Sequence, residues 1–231
     1  MLVERLQVYG MMLPSTIFLT AFAIYPILWV LKWMFFQYDD IRPVKFVGLG
    51  NFALLFHDTY YWRTVLNTLI YGGGKILVTV PLSLLLALIL NGRLRGRNFI
   101  RSSMFMPTIV STAVMSTMFY YILNPYNGII NQILLNAHII GQPINWLGQQ
   151  YAMLSAILVA IWGAIGNYMI YFIAGLQSIP NEVYESAQID GANKLQATWH
   201  ITIPMLGPVM QIVIMLSIIN ALKGYESIMV L

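Results

Sequence analysis

Glu185-Ser186-Ala187-Gln188-Ile189-Asp190-Gly191-Ala192, followed nine residues after Gly191 by Ile201-Thr202-Ile203-Pro204, is a polar stretch set between two strongly apolar ones. Pro180 suits a first helical turn, with Ser178 or Asn181 as its cap. Val183, Tyr184 and Ala187 then share an apolar stripe, with Glu182, Glu185 and Gln188 beside it. Gly191 permits the left-handed backbone that ends a helix, and Asn193 can cap a second short helix running toward Ile201. Such a stripe needs a cover. Either a protein partner receives it, or the helix lies in a membrane interface as an unpartnered amphipathic element.

The flanking composition decides the fold class. The chain of 231 residues is 59% hydrophobic and 9% charged, where soluble domains carry about 25% charged residues and about 45–50% apolar ones. It reads as an all-α, polytopic transmembrane helical bundle. At about 20 apolar residues per crossing there is room for five or six spans in a single transmembrane domain. Apolar runs cover about 13–36, 64–90, 103–123, 151–176 and 205–222, which makes five. The first is too long for a signal-peptide core and lacks a small-residue cleavage site, so it is a retained helix. Without cysteine there is no disulfide framework and no thiolate metal site. The net charge of +4 does not point to nucleic acid, because the Lys and Arg residues are dispersed and the aromatics lie inside apolar runs.

Membrane topology accounts for the basicity. Between the second and third runs lie Arg93, Arg95, Arg97 and Arg101, which the positive-inside rule places in the cytoplasm. The amino terminus is then cytoplasmic too. On this topology Arg5, the four arginines and Lys194 are inside, against Arg42, Lys45 and Arg63 outside. The 124–150 loop holds no acid, Lys or Arg, and opens with the turn formers Asn124-Pro125-Tyr126-Asn127-Gly128; it belongs outside.

The spacing of Glu185-Ser186-Ala187, Gly191, nine residues and Ile201-Thr202-Ile203-Pro204 resembles the cytoplasmic EAA loop of ABC-importer permeases, with Ser186 and Ile203 replacing an Ala and a Leu. Phe46-Val47-Gly48-Leu49-Gly50-Asn51-Phe52, Asn67-Thr68 and Leu176-Gln177-Ser178-Ile179-Pro180 are similar to the sugar-permease branch, so the resemblance spans nearly the whole chain. It implies a six-span permease core, of which five spans are visible; the last helix is expected to be missing from this sequence rather than from the protein. The cytoplasmic EAA coupling loop is 177–204, where Glu185, Ala187, Asp190, Gly191, Ile201 and Pro204 serve coupling to the ATPase and the position of Glu185 meets a basic partner. The resemblance further implies a second permease subunit, a pair of ABC ATPase subunits that use ATP and Mg, an extracytoplasmic sugar-binding protein and the inner membrane of a prokaryote. No cofactor is expected on this chain.

Three further features carry alternatives. Tyr71-Gly72-Gly73-Gly74-Lys75 imitates a phosphate loop, but that motif needs Gly where Leu69 stands and Ser or Thr where Ile76 stands. Lys75 lies about 18 Å along the second span from Arg63, a depth at which ionisable groups face a cavity or a partner; a substrate-path role, a structural pair and snorkelling are all open. On the fourth span Ala160, Gly163, Ala164, Asn167 and Tyr171 form one face. Either it lines a substrate path, with Ser217 and Asn220 of the fifth apolar run as the family's polar positions, or its small residues let a neighbouring helix approach. His57, His138 and His200 are far apart, no pairing has metal-ligand spacing, and no nucleophile-base constellation supports an enzyme.

The reading is therefore a transmembrane permease subunit of an ABC importer for a mono- or oligosaccharide. Its same-class alternative carries another solute such as glycerol phosphate. An ion-coupled secondary transporter is expected to show internal repeats and discontinuous helices, with no need of a docking loop.

Overall fold

Residues 2–39, 42–92 and 94–224 are described by the computed structural model, in which the chain divides into two units, 1–65 and 66–231. Arg93, one of the four arginines of the topology argument, lies outside the described residues.

In the first unit, α1 (Leu2–Leu19), a π-helical turn (Thr20–Ile24) and α2 (Tyr25–Trp33) follow one another without a break. Pro26 explains the π turn. It has no N–H and its ring would strike the Phe22 carbonyl, so the backbone widens and Tyr25 N–H donates to Thr20 O. The rod Gln7–Trp33 is long and apolar enough to cross a membrane, and its apolar residues are exposed. It stops short of the expected residue 36 because Phe36 opens a hairpin of β1 (Phe36–Asp39) and β2 (Arg42–Phe46), with Phe36 opposite Phe46 and Gln37 opposite Lys45. This hairpin is the one departure from an all-helical chain among the described residues. Gly48 turns the chain with a φ of +54°, and α3 (Gly50–His57) follows. The Asn51 amide donates to the carbonyls of Met34 and Phe36, both at 3.0 Å, tying α3 back to the end of α2.

The helix α4 (Thr59–Asn91) leads into α5 (Arg97–Ile109), α6 (Thr112–Ile122), α7 (Ile129–Asn136) and α8 (Ala152–Gln177). Then come α9 (Asn181–Ile189), α10 (Lys194–Ala197), a second π turn (Thr198–Thr202), α11 (Ile203–Met205) and α12 (Gly207–Leu222). The second π turn stands to Pro204 as the first stands to Pro26, with Ile203 N–H donating to Thr198 O. α8 is the hub: Tyr168, Met169, Phe172, Ile173 and Leu176 are buried with Val80, Ala87 and Leu90 of α4 and Val213 of α12.

Glycines set how near the other helices come. A Cβ on Gly166 would lie 1.8 Å from the backbone oxygen of Met104, so α5 and α8 touch backbone to backbone. Within the triple glycine, Gly72 faces Ala221 and Gly74 faces Ile157; the imitation phosphate loop is a packing surface inside a helix.

Two expected spans are not straight. The run at 103–123 breaks at Val110-Ser111 into α5 and α6, bent by 99°. The run at 205–222 begins at Gly207, after a 65° bend that separates α12 from the Lys194–Met205 segment. At the first bend Val110 and Ser111 take extended backbone and the Ser111 side chain caps α6 by accepting from Val114 N–H; at the second, Pro208 lacks the N–H that would reach back across Leu206 to Pro204. Three described helices are thus long and apolar enough to cross a membrane unbroken, and five spans result if each bent pair is one.

The arginine loop has a second use, since Arg101 Nη2 donates to Leu90 O at 2.6 Å, satisfying a carbonyl near the end of α4. In the 124–150 loop Asn124 accepts from Tyr126 and Asn127 N–H, as its turn formers predict. The unforeseen element there is α7. Its Asn131 is buried, donates to the Pro125 and Ile144 carbonyls and accepts from Ile144 N–H and the Trp146 indole, which makes the loop an ordered cap.

Candidate functional site: a membrane cavity and a polar coupling loop

Within the second unit, α4, the α5–α6 break, α8 and α12 line a half-open cavity of about 360 Å³. From α8 come Ala160, Gly163, Ala164, Asn167 and Tyr168; from α12 Asn220, with Lys223 and Gly224 just beyond; from α4 Tyr71 and Lys75. The break contributes Pro107, Thr108, Val110, Thr112 and Met115. Non-helical backbone is tolerated at membrane depth where it is buried in protein or lines a cavity, and this break does the latter. Thr108 Oγ1 donates to Gly163 O at 3.2 Å, clamping the broken segment onto α8. Asn220 Nδ2 donates to the Tyr168 hydroxyl at 3.2 Å and joins α12 to α8. Asn167, half-buried, makes no side-chain hydrogen bond among the described residues.

Four of the six expected substrate-path residues meet here: Gly163, Ala164, Asn167 and Asn220. Tyr171 and Ser217 do not. Tyr171 shares the helical face but sits one turn past Asn167, beyond the cavity, with 40% of its surface exposed. Ser217 is fully buried with an unpartnered hydroxyl and is not among the lining residues. The phenol expected of Tyr171 is supplied by Tyr168 and Tyr71. The small-residue face divides as well: Gly163 opposes only the flexible thioether of Met115, at 2.8 Å for an added Cβ, whereas Gly166 is the helix-packing glycine. Sequence reasoning missed Thr108, Met115 and Tyr168. The available signal was Pro107, a backbone-breaking residue inside a run read as one straight span.

The coupling loop matches its local chemistry. Gly191 has a φ of +80°, Ala192 N–H donates to Ala187 O at 2.9 Å and Gly191 N–H to Gln188 O at 3.1 Å, the paired bonds of a Schellman stop. Asn193 caps α10 in a capping box with Gln196. The start of α9 differs from expectation. Pro180 itself occupies the capping position with no side-chain bond, and Ser178 Oγ instead donates to Gly175 O at the end of α8. Tyr184 and Thr202 meet at 3.1 Å between hydroxyl oxygens, which ties α9 to the second π turn. Ala187 is buried and Ile201 half-buried, so they support the loop from within; Glu185, Asp190, Gly191 and Pro204 are exposed. So are three apolar side chains that sequence reasoning overlooked, Ile189 at 86%, Leu195 at 69% and Trp199 at 62%.

The model of one protein family, described as the binding-protein-dependent transport system inner membrane component, matches residues 79–229. The arabinooligosaccharides transport system permease protein AraP of Bacillus subtilis is 38% identical over 221 residues, covering 94% of this chain and 69% of that protein. The trehalose/maltose transport system permease protein MalF of Thermococcus litoralis is 33% identical over 227 residues, covering 96% and 76%. A crystal structure of a bacterial ABC transporter involved in the import of the acidic polysaccharide alginate contains a chain that superimposes with a TM-score of 0.85 at 26% identity, over 99% of this chain and 78% of that one. Discontinuous helices, expected of an ion-coupled transporter, therefore occur in an ABC permease too and do not separate the two classes. The broken spans around a polar cavity and the Gly191-centred loop between α8 and α12 are those of a permease, and the chain belongs to the family of binding-protein-dependent transport system inner membrane components.

Proposed function

We propose that this chain passes a carbohydrate through the α4, α5–α6, α8 and α12 cavity, driven by ATPase subunits docked on its coupling loop. The observation that carries the reading is a cavity at a broken span that offers Asn167, Asn220 and Thr108 to a hydroxyl-rich solute. Its volume of about 360 Å³ falls within the roughly 300–1,000 Å³ of small-molecule sites. Sugar hydroxyls stripped of water need such partners, because each unpaired buried polar group costs about 1–3 kcal/mol. The permeases AraP and MalF, named for oligosaccharide transport, support the solute class. ATP and Mg belong to the partner subunits in this reading; this chain makes or breaks no bond in its solute. A second permease completes the pore, and an external binding protein delivers the sugar to the face that carries the Asn131-centred cap. The alginate transporter, seen in complex with a pentasaccharide-bound periplasmic protein, supports that arrangement.

Asn167→Leu tests the path. It is isosteric enough to fold but removes both the donor and the acceptor. Uptake by cells carrying the complete importer is expected to fall at least about tenfold, or about 1.4 kcal/mol, with the complex recovered in wild-type yield. Full transport by Asn167→Leu removes this face from the path.

The proposed orientation, with a cytoplasmic amino terminus, has its own test. The chain has no cysteine, so single cysteines at Arg95 and Asn145 report cleanly. An impermeant maleimide on intact cells is expected to label position 145 and spare 95; the reverse pattern inverts the topology.

A further inference from the structure

The cavity that binds the proposed carbohydrate is electrically one-sided. Its described charged lining residues are Lys75 and Lys223, with no carboxylate among them. From Thr59 to Asn181 the chain contains no Asp or Glu at all, and the described acids of the second unit, Glu182, Glu185 and Asp190, are exposed on α9 and the turn after it. Glu226 lies outside the described residues. Lys75 is 6% exposed, one turn below Tyr71 on α4, and makes no hydrogen bond or ion pair among the described residues. Its stem is buried while its ammonium is not among the buried unpartnered atoms, so the charge opens onto the cavity it lines, and ionisable groups inside membrane spans mark solute paths. Asn167 and Thr108 line the same space and offer groups suited to hydroxyls.

We propose that the solute of this cavity carries an oxyanion, a carboxylate or a phosphate ester on a hydroxylated body, and that Lys75 receives it. Lys223, exposed at the end of α12, extends the positive potential to the edge of the cavity. The ammonium of Lys75 gains a charge-assisted hydrogen bond from such a solute, stronger than one to a neutral hydroxyl. A neutral sugar leaves the ammonium unpaired and displaces water that had solvated it. The assignment rests on the carbohydrate reading and narrows its solute class.

The test uses the complete importer, with its own binding protein, in proteoliposomes. Four labelled solutes are compared: a uronate oligosaccharide, its neutral methyl ester, a neutral oligosaccharide and glycerol 3-phosphate. At least one anion is expected to enter about tenfold or more faster than the neutral solutes, and which anion does so separates carboxylate from phosphate. In Lys75→Met that preference is expected to collapse to within about threefold, and Lys75→Arg is expected to retain it. Uptake of neutral sugar with no uptake of either anion overturns the anion assignment and leaves the carbohydrate reading standing. Uptake of none of the four removes both. An anion preference unchanged in Lys75→Met also overturns the assignment.

Discussion

Gly166→Ala is expected to abolish recovery of the folded permease from membranes. The added Cβ would stand 1.8 Å from Met104 O, 2.5 Å from its carbonyl carbon and 2.9 Å from Phe105 Cα. All three are backbone atoms of α5, so no side-chain rotation relieves the contact. Helix propensity pulls the other way, favouring Ala by about 1 kcal/mol, but overpacking costs about 1–3 kcal/mol even where side chains can shift. The clash wins, and α5 must leave α8. Gly163→Ala is the control: its Cβ meets only the Sδ and Cε of Met115, which rotate away, so near-normal yield is expected. Size-exclusion profiles of the two variants measure the difference. Equal yields would mean that α5 and α8 are not in backbone contact in the membrane.

The second large effect is the loss of uptake and of substrate-stimulated ATP hydrolysis in Gly191→Pro and Glu185→Lys. Proline cannot reach the φ of +80° at Gly191, and it deletes the N–H that bonds Gln188 O. Both faults fall on the joint between α9 and α10, while the spans on either side keep their apolar surface, so membrane insertion survives. Glu185→Lys tests the surface without touching the fold. Glu185 is exposed and makes no contact on which α9 depends, so its reversal acts on a docked partner alone. If both variants assemble with the ATPase and import at wild-type rate, the loop does not couple transport to ATP.

Much of this was legible along the chain. Gly191, Asn193 and the Asn124 turn behave as their sequence predicts because capping and left-handed turns are settled by residues two to five positions apart. The straight helices Gln7–Trp33, Thr59–Asn91 and Ala152–Gln177 follow from apolar runs, which suffice because lipid demands that a crossing segment satisfy its own backbone. Asn167 stood out by the helical face it shares with Ala160, Gly163 and Ala164, and Asn220 through the family resemblance; both line the cavity.

Other features are properties of the assembled helices. A proline in an apolar run is compatible with a gentle kink or a full break; that Pro107 precedes a 99° turn follows from the cavity and the clamp between Thr108 and Gly163, which lie 55 residues apart. Tyr171 and Tyr168 differ by less than one turn along α8, yet only Tyr168 lines the cavity, because the packing of α12 through Asn220 decides where the space is. Likewise Gly163 and Gly166 look alike in sequence and part company only because Met115 offers a side chain where α5 offers its backbone. Local patterning by itself determined a polytopic helical bundle with a capped polar loop before its last apolar run, and the resemblance of that loop pointed to a permease. Which polar side chains share one cavity, and that Lys75 meets no described acid there, was decided by tertiary structure, since the walls come from four segments whose approach depends on contacts far apart in the chain.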